Sequence, residues 1–339
     1  MTGGERPDRY GRAVLERGKS TLDEAIDVVD EVMTFGRGNL ARLGAIRSPA
    51  SSGQVRRTGP YDGVAYIDAP RCHRLCGDVR WMCGVPERFT VVAFDPRGYS
   101  RSTLDGGPED RQVAVQSGDA YRLLAQLTDE PAYVFGTSAG AVVCLDLLAR
   151  HPERVRTLVA HEPPCLAVLP DAAEHRAMIE EVYTLFHAEG VGAAAIRFLT
   201  AMGAEMKPPP DMSDLPPRTV ELRARMAANA PIMFEHELRN FTAYRPDGAA
   251  LAQVADRLMP AVGRDSLDTL PYRATAELSA QLGRAVAEFP GAHNGIRTDA
   301  AEFAAALVEI LISAGDAIPA VGGEVQPTTV LLRQESLPL

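Results

Sequence analysis

The sequence predicts an α/β architecture: a mostly parallel central sheet with helices on both faces, interrupted by a helical insertion. Three observations lead there. From Gly63 onward, strand-like and helix-like stretches alternate. After Pro163 that alternation stops, and several helical stretches follow one another with no strand between them. It then resumes near Arg257 and runs to about Ile312. Alternation of this kind means parallel strands joined by helical crossovers that cover both faces of the sheet.

Composition sets the outer limits. The chain has 339 residues, 46% hydrophobic and 24% charged, too apolar for a disordered polymer. Its formal charge is −10, and 33 of its 35 basic residues are Arg, since Lys occurs only at Lys19 and Lys207. An acidic balance argues against nucleic acid as the main partner. No apolar segment has the length and purity of a membrane span, and the stretch Met1 to Tyr10 lacks the apolar core of a signal peptide. The expectation is a soluble cytoplasmic protein that neither inserts in a membrane nor binds one. Five Cys are too few for a disulfide scaffold, and their odd number fits reduced thiols.

The elements follow in order. Residues 1–58 read as a polar leader with one amphipathic helix, where Thr21 and Glu24 form a capping box before Leu22, Ile26, Val29 and Met33 at helical spacing. Arg47 to Pro60 is linker-like. Gly63 to Ala69 and Phe89 to Phe94 are strand candidates, and the second ends in Asp95-Pro96-Arg97-Gly98. A helix at Val113 to Leu127, a strand at Ala132 to Phe135, a helix at Ala139 to Arg150 and a strand at Val155 to Ala160 come next. Helices at Ala172 to Glu189, Val191 to Ala204 and Pro217 to Phe241 make the insertion. Arg257 to Val262, Ala274 to Leu282, Ala285 to Phe289 and Ala300 to Ile312 restore the alternation. The organisation is therefore a core of 59–164 and 251–313, a helical insertion of 165–250 and a loose tail of 314–339.

The sharpest local signal is Gly136-Thr137-Ser138-Ala139-Gly140, between an apolar strand and a helix that opens with small residues. A tight strand-to-helix turn needs neighbours without bulky side chains, and it lifts a Ser hydroxyl above the carboxyl edge of the sheet. The helix N-terminus then favours a developing oxyanion at the Ala139 amide. A serine nucleophile needs a base, and the base needs an orienting carboxylate. Of seven His, His293 stands out in the loop Pro290-Gly291-Ala292-His293-Asn294-Gly295, directly after a strand. For the acid, Asp265 comes straight off the strand Arg257 to Val262, and Asp268 is the rival three residues on. The chain order Ser138, Asp265, His293 belongs to one fold among known triads.

On these residues the sequence resembles the α/β-hydrolase family over about residues 86–312. Asp95-Pro96-Arg97-Gly98 with Ser100 and Ser102 is similar to the family's turn before its first large crossover helix. Val155 to Pro164, with His161-Glu162-Pro163-Pro164, resembles the strand that leads into its cap. The resemblance implies Ser138 as nucleophile, His293 as base, Asp265 as acid and the insertion as a lid over the substrate. Thr137, His161, Met202, Met233 and Phe234 are the candidate substrate contacts. Six of the ten Met fall between Met178 and Met233, beside Phe186, Phe198, Phe234 and Phe241, which suits an adaptable apolar pocket as well as ordinary packing.

One segment departs from the family's pattern. Where a Gly-rich oxyanion loop is expected, Pro70 to Gly84 holds Cys72, His73, Cys76, Trp81, Cys83 and three Arg. The Cys and His spacing fits no standard zinc pattern, so no metal site is expected. An unusual working loop and a segment translated out of its ancestral frame remain, and the abrupt change of composition favours the second.

The leading reading is a cofactor-free serine hydrolase that cleaves a small or medium-sized apolar carboxylic ester through an acyl-enzyme. The competing readings are a catalytically impaired member of the fold that serves as a binding protein, and a lyase- or peroxidase-type member. Oligomeric state is left open, a homodimer included.

Overall fold

The computed structural model describes residues 90–94, 96–99, 104, 108–204, 217–316 and 329–333. The leader helix, the strand candidate Gly63 to Ala69 and the Cys-rich segment lie outside the described residues. Six strands form one sheet: β1 (Thr90–Phe94), β2 (Ala132–Thr137), β3 (Val155–His161), β4 (Leu258–Gly263), β5 (Ala287–Phe289) and β6 (Thr329–Arg333). Their spatial order is β1-β6-β2-β3-β4-β5, and every pairing is parallel.

Strand alternation sorts side chains onto two apolar layers. On β2, Ala132 and Val134 face one layer, while Tyr133 and Phe135 face the other. The first layer is closed by α1 (Val113–Leu127) and α2 (Ala139–Arg150), the second by α10 (Ala300–Asp316). Helix α2 is buried over most of its length, from Ala139 to Leu148, as a helix packed flat on a sheet should be. Phe135, Phe289 and Phe303 meet edge-on and tilted in the second layer, which anchors the end of β5.

Between β3 and β4 the described residues form helices: α3 (Ala172–Glu189), α4 (Val191–Met202), α5 (Pro217–Ile232), α6 (Leu238–Thr242) and α7 (Gly248–Gln253). The sequence predicts one helix from Pro217 to Phe241. The structure instead shows α5, a π-helical turn at Met233–Glu237 and then α6. Pro231 inside α5 has no N–H to give the ladder, and the backbone widens into the π turn directly afterwards. Helices α8 (Leu270–Leu282) and α9 (Gly295–Thr298) complete the core.

The tail needs a correction. Thr329–Arg333, expected inside a loose tail, is a strand in the interior of the sheet. It pairs β1 from Thr90↔Thr329 to Phe94↔Arg333 and β2 from Tyr133↔Val330 to Gly136↔Arg333. Five residues without helical period, Thr-Val-Leu-Leu-Arg, are enough for a strand once two edges are waiting for them.

Candidate active site

The turn from Gly136 to Gly140 is built by close packing. A Cβ on Gly136 would lie 2.7 Å from the Gly140 carbonyl oxygen and 2.8 Å from the Ala141 backbone, so strand and helix approach as they do because Gly136 has no side chain. Ser138 itself sits at φ 50°, ψ −125°, a conformation that costs about 1–3 kcal/mol for a residue with a Cβ and persists only where surroundings enforce it. Here its N–H donates to the His161 carbonyl (2.8 Å), and its carbonyl accepts from Ala141 (2.9 Å). Ser138 and Ala139 line a cavity of about 420 Å³ at the carboxyl end of the sheet.

His293 reaches the same cavity from the loop after β5. Gly291 turns that loop at φ 76°, and a Cβ there would fall 2.2 Å from Asp299 Oδ2. His293 Nδ1 lies 2.5 Å from an oxygen of Glu162. A carboxylate can only accept, so Nδ1 carries the hydrogen and Nε2 is left as the basic nitrogen. Glu162 is fully buried at the end of β3, with φ 47°, and its other oxygen accepts from the Gly263 amide (2.8 Å). Burial alone would raise the Glu162 carboxyl. The hydrogen bond from His293, the two neighbouring imidazoles and the Gly263 amide outweigh it and hold the group below the ordinary carboxylate value.

The carboxylate that His293 bonds is Glu162, and among the described residues no hydrogen bond joins the imidazole to Asp265, the expected acid. Asp265 is exposed at the cavity mouth, its amide donates to the Gly291 carbonyl (3.1 Å), and among the described residues its carboxylate has no hydrogen bond. Asp268 is exposed as well and lies outside the cavity lining. A carboxylate in a solvated turn has no reason to reach for an imidazole, whereas one sealed under the sheet edge has no other place for its charge.

The expected substrate contacts divide. Met202 lines the cavity. Met233 and Phe234 do not: both are fully buried in the insertion's own packing, where Phe234 stacks on Phe186 at 5.6 Å between centroids. Thr137 and His161 also stay out of the lining. Thr137 Oγ1 and His161 Nδ1 are 3.1 Å apart, and the His161 ring is fully buried against Phe289 and Phe303. Burial pushes the His161 imidazole down to about 4, so it is neutral at pH 7.

Sequence reasoning missed two residues. One is Glu162, which bonds His293 without lining the cavity and reads in the sequence only as part of a strand leading into the insertion. A charged residue between an apolar strand and Pro163 was the available signal. The other is Glu237, 3% exposed, at the end of the π turn, which lines the cavity beside Phe198, Leu199 and Phe241. No group of three metal-ligating side chains occurs among the described residues. No helix among them is long and apolar enough to cross a membrane.

The chain has clear relatives. The family of the alpha/beta hydrolase fold matches residues 74–186. The uncharacterized hydrolase YraK of Bacillus subtilis (strain 168) is 32% identical over 268 residues, which is 76% of this chain and 91% of that protein. Among solved structures, a carboxylesterase of the thaumarchaeon Nitrososphaera gargenis superposes with a TM-score of 0.52 at 16% identity, over 68% of this chain and 82% of that one. A hydrolase from Oleispira antarctica does so with a TM-score of 0.52 at 16% identity, over 69% and 85%. A parallel sheet, a strained serine turn after β2, a histidine loop after β5 and a hydrolase relative matched over 91% of its length agree: this chain belongs to the α/β-hydrolase family.

Proposed function

We propose that the chain is a serine hydrolase of small or medium-sized carboxylic esters, with Ser138 as nucleophile, His293 as base and Glu162 as the acid. The observation that carries this reading is the bond from the buried Glu162 to His293, which lines the same cavity as Ser138. It supports the assignment because it leaves Nε2 as a proton acceptor, which a serine nucleophile requires.

The chemistry runs as two displacements. His293 Nε2 takes the Ser138 proton as Oγ attacks the ester carbonyl, and Glu162 stabilises the imidazolium that forms. Charge on the carbonyl oxygen is met by the Ala139 amide at the start of α2. The imidazolium then gives its proton to the leaving alcohol, and the same base activates water to release the acid. Helices α3–α6 act as the cap, and Phe198, Leu199, Met202 and Phe241 give the acyl chain an apolar wall. Neither Cys144 nor Cys165 is in a disulfide, which suits a cytoplasmic enzyme.

A fluorophosphonate probe tests the reading. Labelling of the wild type but not of Ser138→Ala, with turnover of a short nitrophenyl ester, is the expected result. Equal labelling of both proteins, or ester turnover that survives Ser138→Ala, overturns it.

A further inference from the structure

Among the described residues, five hydroxyl side chains line the cavity: Ser138, Thr242, Ser266, Thr269 and Thr298. Three of them are spent on the fold. Thr242 Oγ1 donates to the Leu238 carbonyl (2.8 Å), Thr298 Oγ1 donates to Asp299 Oδ2 (2.7 Å), and Thr269 Oγ1 caps α8 by accepting from the Tyr272 amide (3.4 Å). Ser138 is the proposed nucleophile. That leaves Ser266, which is fully buried and whose Oγ has no hydrogen-bond partner among the described residues. A hydroxyl taken out of water and left unpaired is costly, so a cavity that keeps one has a use for it.

Ser266 also stands on a rigid frame. Its amide donates to the Gly263 carbonyl (3.0 Å) and its carbonyl accepts from the Thr269 amide (3.0 Å), so the hydroxyl is the polar group it has left to offer a ligand. The Asp265 amide just before it donates to the Gly291 carbonyl (3.1 Å), and a Cβ on Gly263 would lie 2.5 Å from the Ala292 carbonyl oxygen. The loop after β4 is thereby locked against the histidine loop, and the hydroxyl is in place before a ligand arrives. The cavity around it has two ends. Asp265, Ala292 and Thr298 are exposed and mark the mouth, whereas Ser266 is sealed from solvent.

We propose that Ser266 is a specificity-determining residue whose hydroxyl bonds a neutral oxygen function, a hydroxyl or a carbonyl, on the acyl chain of the substrate. A serine hydroxyl both donates and accepts, so either oxygen function satisfies it. The leaving alcohol departs through the exposed mouth, and the sealed Ser266 meets the acyl half, whose hydrocarbon lies against Phe198, Leu199 and Met202 of the insertion. The cavity then selects hydroxyacyl or oxoacyl esters over plain alkanoyl ones, because an alkyl chain in the same place leaves the Ser266 hydroxyl unpaired. This rests on the ester-hydrolase reading for the reaction but not for the binding preference.

The test therefore separates the two. Binding is measured by calorimetry on a Ser138→Ala protein, with methyl hexanoate and the methyl hydroxyhexanoates and oxohexanoates that carry the oxygen at carbon 3, 4 or 5. At least one oxygenated ester is expected to bind about tenfold or more tightly than methyl hexanoate. Adding Ser266→Ala, or the nearly isosteric Ser266→Cys, is expected to bring that ratio to about one while methyl hexanoate binds no more weakly than before. Turnover of the same esters by protein that retains Ser138 is expected to follow the same ratio in kcat/KM. No preference for any oxygenated ester overturns the proposal, and that comparison needs no change at Ser266. A preference that survives both Ser266 variants overturns it too, as does an equal weakening of every ester, which makes the hydroxyl a support for the wall. Oxygen-selective binding without any Ser138-dependent turnover keeps this proposal and sinks the hydrolase reading.

Discussion

The loops after β3 and β4 leave neighbouring strands at the same edge of the sheet, and each carries a carboxylate near the His293 loop. After β3, Glu162 is sealed from solvent at φ 47° and is held by the Gly263 amide and His293. After β4, Asp265 is exposed, and among the described residues only its backbone is engaged, with Gly291. One loop spends strain and burial on its acid, and the other spends neither. Being next off a strand is thus not what makes a carboxylate the partner of an imidazole; enclosure and a second donor are.

Glu162→Gln should break the comparison most severely. Without a carboxylate on Nδ1 the imidazole loses both its tautomer and the stabilisation of its charged form, so kcat for a neutral ester should fall by about 10³-fold or more. A fall of less than tenfold in a folded variant would return the role to another group. The next effect is on stability in acid. His161 is neutral in the fold with a value of about 4, against about 6.5 when unfolded, so the unfolded chain binds the extra proton between those limits. Stability is then complete above pH 6.5 and declines as pH falls toward 4, by up to roughly 3 kcal/mol. The depressed Glu162 carboxyl adds to the same trend, since its contribution is lost as pH falls through its folded value. Urea unfolding at pH 7 and pH 4.5 should show the loss in the wild type and a smaller one in His161→Phe. An equal loss in both proteins would remove His161 as its source.

Gly291→Ala tests how tightly the histidine loop is drawn. A methyl group at φ 76° against Asp299 should cost about 2 kcal/mol, read as a lower urea midpoint with an unchanged slope. No change would mean that the loop relaxes freely. Asp265→Asn should be the mildest of the four, with kcat for a neutral ester lowered by less than about tenfold. A loss comparable to that of Glu162→Gln would erase the contrast between the two loops.

Much of the core was legible in the sequence because its signals are local. The bounds of α1, α2 and α3 coincide with the helical periodicity, and Gly136 to Gly140 reads directly as a strand-to-helix turn. Ser138 and His293 were legible for the same reason: each lies in a short glycine-flanked loop after a strand. Three things were not. The π turn depends on how the backbone answers Pro231, and Pro217 to Phe241 keeps a helical pattern across it. The partner of His293 depends on burial, and Asp265 and Glu162 look alike as residues that follow a strand. Strand β6 depends on partners far away in sequence, so its five residues carry no local sign of where they pair.

That last strand also sets the order in which the molecule can be made. β1 and β2 do not touch each other in the sheet; they are joined through β6. While the chain is being synthesised, the segments from β2 to α10 can assemble, yet β2 keeps an open edge until a partner almost two hundred residues later emerges. Closing so long a loop is slow, and an unpaired edge invites association with other nascent chains in the interval. The serine turn sits at the end of that same β2, so the scaffold of Ser138 is among the last parts of the protein to be braced on both sides.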